Sequence, residues 1–153
     1  MDNDKVTSVL NDLIETCRDG QNGFKEAAEN IKDSKLKEVF YEVSQERARF
    51  VGELQQLVRD LGGDPENTGS TAAALHRAWI DIKGKLTGMD DQAILNECER
   101  GEDSAVSAYR DSLKEDLPAN VRSVIERQHQ SVHQVHDRVK ALRDSRAAIT
   151  GKS

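Results

Sequence analysis

The sequence predicts an all-α protein, a four-helix bundle with one long connection between its second and third helices. The first observation is the composition, since 33% of the 153 residues are charged and only 4% are aromatic, as is typical of helical bundles. Second, four long segments carry apolar residues at spacings of three and four, the pattern of amphipathic helices. Third, the connections between these segments are short, long and short. An up-down-up-down bundle needs no long middle connection, whereas a bundle with one crossover does.

The first two helices are predicted over residues 4–31 and 34–61, and a tight turn joins them. Asp33 is a suitable N-cap for the second helix, because its side chain can accept hydrogen bonds from the first amides. Gly62 and Gly63 end that helix, since glycine closes helix C-termini readily. The apolar faces of these two helices are formed by Val6, Leu10, Leu13, Cys17, Phe24, Ala28 and Ile31, and by Leu36, Val39, Phe40, Val43, Phe50, Leu54, Leu57 and Leu61.

The long connection runs from residue 62 to residue 88 and is expected to contain a short helix over residues 70–87. A structureless loop of this length is unusual in a compact domain, and the spacing of its apolar residues indicates a helix. We expect Trp79 to pack this segment onto the bundle rather than to bind a ligand. A crossover of this length returns the chain to the end at which the second helix began, so the second and third helices should run parallel.

The third and fourth helices are predicted over residues 90–115 and 118–147, and residues 1–153 are expected to form a single domain. Asp90 or Asp91 is a suitable N-cap for the third helix. Pro118 marks the second tight turn, because a proline in the first turn of a helix sacrifices no hydrogen bond. The apolar faces are formed by Ile94, Leu95, Cys98, Ala105, Tyr109 and Leu113, and by Val121, Val124, Ile125, Val132, Val135, Val139 and Leu142.

The net charge and the N-terminal residues limit the partners and the cellular location that we expect. A formal net charge of −6 argues against nucleic acid and anionic membrane surfaces, since both require a cationic footprint. No apolar run approaches the length of a membrane span, and the acidic residues 1–4 do not resemble a signal peptide. We therefore expect a cytoplasmic protein. Cys17 and Cys98 lie on apolar faces and are expected to be small buried hydrophobic residues.

Each of the four helices carries a polar residue on its apolar face: Gln21, Glu46, Glu102 and His136. Each lies roughly 11 to 14 residues from the same end of the bundle, or about 17–20 Å at the helical rise per residue. Burying a carboxylate without a partner costs several kcal/mol. We therefore expect these residues to converge in one interior layer, with an arginine of the second helix, at position 47 or 49, close by.

Two interpretations of this layer are open. In the first, the layer binds Fe, Mn or Zn, which suit carboxylate and imidazole ligands. In the second, Arg47, which also lies on the apolar face of its helix, neutralises Glu102 or Glu46 in an ion pair; this is the interpretation we favour. The candidate metal ligands of the first interpretation are Glu46, Glu102 and His136, with Gln21, Glu99 and His133 nearby.

The predicted topology is similar to that of the ferritin-like superfamily. Its di-iron members use a Glu on the first helix, Glu-x-x-His on the second, a Glu on the third and Glu-x-x-His on the fourth. This chain keeps Glu46 and Glu102, but Gln21 stands in place of the first Glu. Arg49 stands where the first His belongs, and His133 replaces the last Glu. A fixed cation in place of a ligand repels a second metal ion, so a mononuclear site fits this set better than a complete di-iron centre.

More closely, the chain resembles an uncharacterised bacterial ferritin-like family, a four-helix-bundle domain of unknown function. The resemblance covers nearly the whole chain and implies the fold, but no established activity, substrate or cofactor. It rests on four stretches: Asp19-Gly20-Gln21-Asn22-Gly23-Phe24 with Ala27-Ala28, Glu46-Arg47-Ala48-Arg49-Phe50 with Glu53-Leu54, Leu75-His76-Arg77-Ala78-Trp79, and Glu97-Cys98-Glu99-Arg100-Gly101-Glu102-Asp103.

The sequence contains no Ser/His/Asp set, phosphate-binding loop or Cys-x-x-Cys pair, so hydrolase or transferase chemistry has no support. We expect a non-catalytic bacterial bundle with a vestigial polar core. It would act in stress physiology through a protein partner or as a homo-oligomer. The alternative is a metal-binding protein or oxidoreductase with a mononuclear or incomplete dinuclear site of Fe, Mn or Zn.

Overall fold

The computed structural model describes residues 2–65, 86 and 88–150, with side chains as far as residue 146. Within these residues it contains four helices and no strand: α1 (Asn3–Asn30), α2 (Ser34–Asp60), α3 (Asp91–Ser112) and α4 (Ala119–Thr150). Their ends lie within three residues of the bounds predicted from the sequence. The predicted crossover helix over residues 70–87 falls almost entirely outside the described residues. The predicted all-α four-helix fold is confirmed.

Aspartates cap α2 and α3, and a third aspartate joins the turn between α1 and α2 to α3. Asp33 caps α2 by accepting hydrogen bonds from two amides of the first turn, and Asp90 caps α3 in the same way through the amide of Ala93. Asp91 has a different role from the cap considered above. Its carboxylate accepts hydrogen bonds from the amides of Lys32 and Asp33, at 2.8 and 3.0 Å. The α1–α2 turn is therefore fixed to the start of α3.

The contacts between helices define the topology. α1 lies antiparallel to α3, because Lys32 at the end of α1 contacts the start of α3, whereas Cys17, further back in α1, contacts Tyr109. α1 is also antiparallel to α2, with which it makes its most extensive contact. It follows that α2 and α3 run parallel, as the sequence predicted. α4 runs antiparallel to both, since Glu53 of α2 contacts Arg127 near its start and Asp33 contacts Arg146 near its end.

The core consists of two clusters of buried apolar residues with a polar layer between them. On every helix the division falls at the height predicted for that layer. In α1, for example, Cys17 belongs to the first cluster and Phe24 to the second. Leu86, at the end of the long connection, is buried in the second cluster. The first cluster contains Val6, Leu10, Leu13, Ile14, Cys17, Phe50, Val51, Leu54, Val58, Ala105, Val106, Tyr109, Leu117, Val121, Ile125 and Val132.

Candidate functional site

The centre of the polar layer is an ion pair between Arg47 of α2 and Glu102 of α3. Nη1 and Nη2 of Arg47 donate hydrogen bonds of 2.8 and 2.6 Å to the two carboxylate oxygens. The side chains are 1% and 0% exposed, so the pair is removed from water. The guanidinium also lies over the ring of Phe24, 5.6 Å from its centroid, a cation–π arrangement. Bidentate pairing of this kind is the strongest form that an Arg–carboxylate contact takes.

A glycine of α1 makes room for this pair. A Cβ atom on Gly20 would lie 2.7 Å from Nη1 of Arg47, closer than non-bonded atoms approach. Glycine in the middle of a helix lowers the stability of that helix. At position 20 it is needed because the side chain of any other residue would clash with the guanidinium. The guanidinium thus fills the interior between α1 and α3, at the height where the sequence placed a candidate metal.

The charge state of Arg47 follows from its partner. Burial lowers the pKa of Arg47, but the adjacent Glu102 carboxylate raises it more, so the pKa lies above its usual value and the guanidinium stays charged. Nε of Arg47 is buried and has no hydrogen-bond partner within the described part of the chain. The pair is therefore neutral as a unit but incompletely hydrogen-bonded. In such a pair, the attraction between the charges offsets only part of the free energy lost when both are removed from water.

A chain of buried hydrogen bonds runs beside the ion pair. The hydroxyl of Tyr109 donates to Oε1 of Gln128 at 2.7 Å, and Sγ of Cys17 lies 2.9 Å from the same hydroxyl. Nε2 of Gln128 donates in turn to Glu53 at 3.1 Å. Burial raises the pKa of Cys17 to about 11 and also raises that of Tyr109. Both groups are therefore neutral at physiological pH, and the buried thiol is not a nucleophile.

Gln128 was not singled out from the sequence, although a signal was present. It lies three residues after Ile125 and four before Val132, on the apolar face of α4. Its position on the apolar face meets the first criterion that selected Gln21 and Glu46, but Gln128 lies eight residues before His136, about two helical turns from the common height, so the second criterion excluded it. Gln128 is fully buried, whereas Gln21 is only half-buried.

The predicted metal ligands Glu46, Glu102 and His136 are not brought together. Glu102 is held by Arg47, as the second interpretation expected. Glu46 turns toward α4, where the hydroxyl of Ser131 donates to it at 2.5 Å. His136 lies on the outer side of α3 and α4. Metal binding by these three residues as one set stays a prediction, and Glu102 could join such a set only by releasing Arg47.

The other residues named from the sequence surround this layer without entering it. The backbone carbonyl of Gln21 accepts a hydrogen bond of 2.8 Å from Ser44, which ties α1 to α2. Arg49 is exposed and lines a groove between α2 and α4, beside Glu46. His133 is exposed on α4 and contacts Asp137 at 3.3 Å. Of the two candidate arginines, only Arg47 reaches the interior.

The interior does not fit the di-iron centre that the fold would otherwise accommodate. A guanidinium, rather than a ligand, faces Glu102, and it packs against α1 at Gly20. Two divalent cations beside a fixed buried cation would face strong repulsion, and both oxygens of Glu102 already accept hydrogen bonds from Arg47. The residues of this layer therefore do not support di-iron chemistry.

A second group of polar residues lies at the surface between α3 and α4. Nε2 of His136 is 2.5 Å from Oδ1 of Asp103, and Nδ1 is 3.1 Å from Oδ1 of Asp137. Partial burial lowers the pKa of His136, but Asp137 and Asp103 raise it more, so it lies above the usual value. Glu99 lies beside Asp103 on α3 and accepts a hydrogen bond from Arg143. Glu99 was predicted from the sequence to lie near the candidate metal ligands. Asp103, one helical turn further along α3, was not predicted.

The fold and the polar layer define a ferritin-like four-helix bundle whose interior carries an ion pair. The chain belongs to the family described as a domain of unknown function (DUF2383), which matches residues 5–115, from α1 to just beyond α3. This agrees with the resemblance noted in the sequence. No curated protein matches the chain. Among the described residues, no helix is both long and apolar enough to cross a membrane.

Among solved structures, the chain is similar to a two-domain protein from Anabaena variabilis that contains DJ-1/ThiJ/PfpI-like and ferritin-like domains. The TM-score is 0.79 at 16% sequence identity. The match covers 95% of this chain and 41% of that one. At this identity the likeness shows the fold alone. The chain spans less than half of that two-domain protein.

Proposed function

We propose that this protein is a non-catalytic ferritin-like bundle in which a buried ion pair takes the place of a metal centre, and that it works as a binding module through its outer surface. The observation that carries the proposal is the Arg47–Glu102 pair, 1% and 0% exposed, at the height where a ferritin-like protein would hold its metal. The positive charge of Arg47 and the negative charge of Glu102 cancel each other. No net negative charge is left at this point to attract a cation.

The groups beside the ion pair also favour a structural core. Tyr109 and Cys17 have raised pKa values because of burial, so neither supplies an anionic ligand or a nucleophile at neutral pH. Gln128 satisfies the tyrosine hydroxyl. A hydrogen-bonded interior of this kind specifies one packing of the helices and is costly to open. The stress-associated role and the homo-oligomer expected from the sequence stay predictions.

The competing function is the metal-binding protein or oxidoreductase that uses Glu46, Glu102 and His136. It differs from our proposal in one measurable respect: any metal it holds must depend on Glu102 and Glu46. Within the proposal, these two carboxylates contribute to stability and to helix contacts only. Their partners are Arg47 and Ser131.

The test is the metal content of the full chain, purified from cells supplied with Fe, Mn and Zn. The variants are Glu46→Gln and Glu102→Gln, with Glu97→Gln as a matched control, since Glu97 pairs with Arg100 at the surface of α3. We expect all three variants to contain as much metal as the wild type. A stoichiometric metal that is lost in Glu46→Gln and Glu102→Gln, but kept in Glu97→Gln, would overturn the proposal. Glu46→Gln is the decisive variant, because Glu46 is only half-buried and its loss should leave the fold intact.

A further inference from the structure

An imidazole and two carboxylates meet at the surface between α3 and α4, outside the buried ion pair. Glu99, Asp103 and His136 each offer a ligand atom, and these atoms all lie within 4.8 Å of one another. We propose that these three residues form a binding site for one divalent transition-metal ion of the zinc class, held between the two helices. The site shares His136 with the set predicted from the sequence, but it lies on the outer face and uses neither Glu46 nor Glu102.

The two helices present the three groups without rearrangement of the backbone. Glu99 and Asp103 are separated by one turn of α3, so their side chains lie next to each other on the same face. His136 of α4 reaches across the helix pair, and its Nε2 is 2.5 Å from Oδ1 of Asp103. A site whose groups stand on two packed helices is held more precisely than one on loops.

The imidazole is oriented by a fourth residue. Oδ1 of Asp137 lies 3.1 Å from Nδ1 of His136, and Oδ2 lies 3.3 Å from Nδ1 of His133. Histidine ligands of metals characteristically donate their other ring N–H to a carboxylate. With Nδ1 engaged in this way, Nε2 is the atom directed at Asp103. Without metal, Nε2 and Oδ1 of Asp103 share a hydrogen bond. When the cation binds, this hydrogen bond breaks, the proton leaves to solvent, the lone pair of Nε2 binds the ion, and the two side chains move apart to admit it.

The charge and exposure of the cluster suit a cation with part of its coordination left to water. Glu99 and His136 are 12% and 18% exposed, whereas Asp103 is 63% exposed. Nitrogen together with carboxylate oxygen is a zinc-type ligand set, while magnesium prefers oxygen alone. The carboxylates around the site are Glu99, Asp103, Asp137 and Asp144, and the cations beside them are Arg143 and Lys140. Negative groups thus outnumber positive ones. Arg143 donates a hydrogen bond to Glu99 and must turn away when the cation binds. Its side chain is 29% exposed, unlike the buried Arg47, so it can turn into solvent.

The test is calorimetric titration of the metal-free full chain with Zn²⁺. We expect one zinc per chain in the wild type, and binding weaker by about tenfold or more in Asp103→Asn and in His136→Gln, since each removes one ligand. Asp111→Asn is the matched control: Asp111 is an exposed carboxylate on the same helix, paired with Lys114, and its loss should leave zinc binding unchanged. Mg²⁺ in excess should not displace the zinc.

Three results would overturn the proposal: no zinc binding in the wild type, equal weakening in Asp111→Asn, or full binding in His136→Gln. Circular dichroism of each variant without metal checks that it is folded, and Asp103→Asn alters a side chain exposed enough to leave packing untouched. The site is independent of the ion-pair core. Glu46→Gln should therefore bind zinc as the wild type does, and zinc binding lost in that variant would place the metal in the interior instead.

Discussion

Replacing Arg47 with methionine would leave the carboxylate of Glu102 buried without a cation. Glu102 is fully buried, and both of its oxygens accept hydrogen bonds from Arg47. Removing one partner of such a pair costs about 3–5 kcal/mol. For a domain of this size each kcal/mol lowers Tm by about 2–4 °C, so Arg47→Met should melt about 6–20 °C below the wild type.

The double variant Arg47→Met, Glu102→Leu should recover most of this loss. No charge then remains to be desolvated, and the buried Nε of Arg47, which has no hydrogen-bond partner in the described residues, is removed as well. Replacement of a whole buried pair by apolar residues of similar volume is often neutral or stabilising. The control is Arg127→Met, which breaks the ion pair with Glu53, where the two side chains are 55% and 37% exposed. Such a surface pair contributes at most about 1 kcal/mol.

The assay is thermal and urea denaturation followed by circular dichroism, on the wild type, Arg47→Met, Glu102→Leu, the double variant and Arg127→Met. The coupling energy between the two mutations measures the interaction directly. If Arg47→Met were no more destabilising than Arg127→Met, the pair would not be a desolvated one. If the double variant lost the sum of the two single losses, the charges would not be each other's main partners.

Three further results are expected. Gly20→Ala should destabilise the protein, because overpacking against the guanidinium costs about 1–3 kcal/mol. Gly52→Ala is the control: its added methyl group meets nothing within 4 Å, so it should be neutral or stabilising in the same denaturation assay. Cys17 should resist a thiol reagent at pH 8 until the protein unfolds, since its pKa is about 11; rapid native-state labelling would contradict this. Partial burial raises the pKa of Glu53, but hydrogen bonds from Arg127 and Gln128 lower it more. The ionised carboxylate therefore stabilises the folded protein at pH values above the pKa of Glu53 in the unfolded chain. This stabilisation is lost as the pH falls through the pKa of Glu53 in the folded protein. An NMR titration should place the pKa of Glu53 below that of an unperturbed glutamate, and Arg127→Gln should raise it.

The sequence by itself determined the helices, their order and the height of the polar layer. Apolar residues three and four apart set each helix, and the short-long-short connections required α2 and α3 to run parallel. The polar interruptions lie at one height because rise along a helix depends only on residue number. The division of the core, between Cys17 and Phe24 on α1, falls at that height.

Only the tertiary structure decided which side chain on each helix faces the centre. Glu46 and Arg47 are neighbours, and both lay within the predicted apolar arc of α2. Consecutive residues differ by about 100° around a helix, and the packing of whole helices, ridges into grooves, sets the final rotation. In the structure Arg47 turns to Glu102 and Glu46 turns to Ser131.

The surface cluster was decided in the same way. Asp103 lies next to Glu102 in the sequence, but it contacts His136 only because α4 packs against that side of α3. A periodic pattern states which face of one helix is apolar and does not state which polar residues of two helices become neighbours. That depends on the rotation and offset of the helix pair, which the packing of the entire core determines.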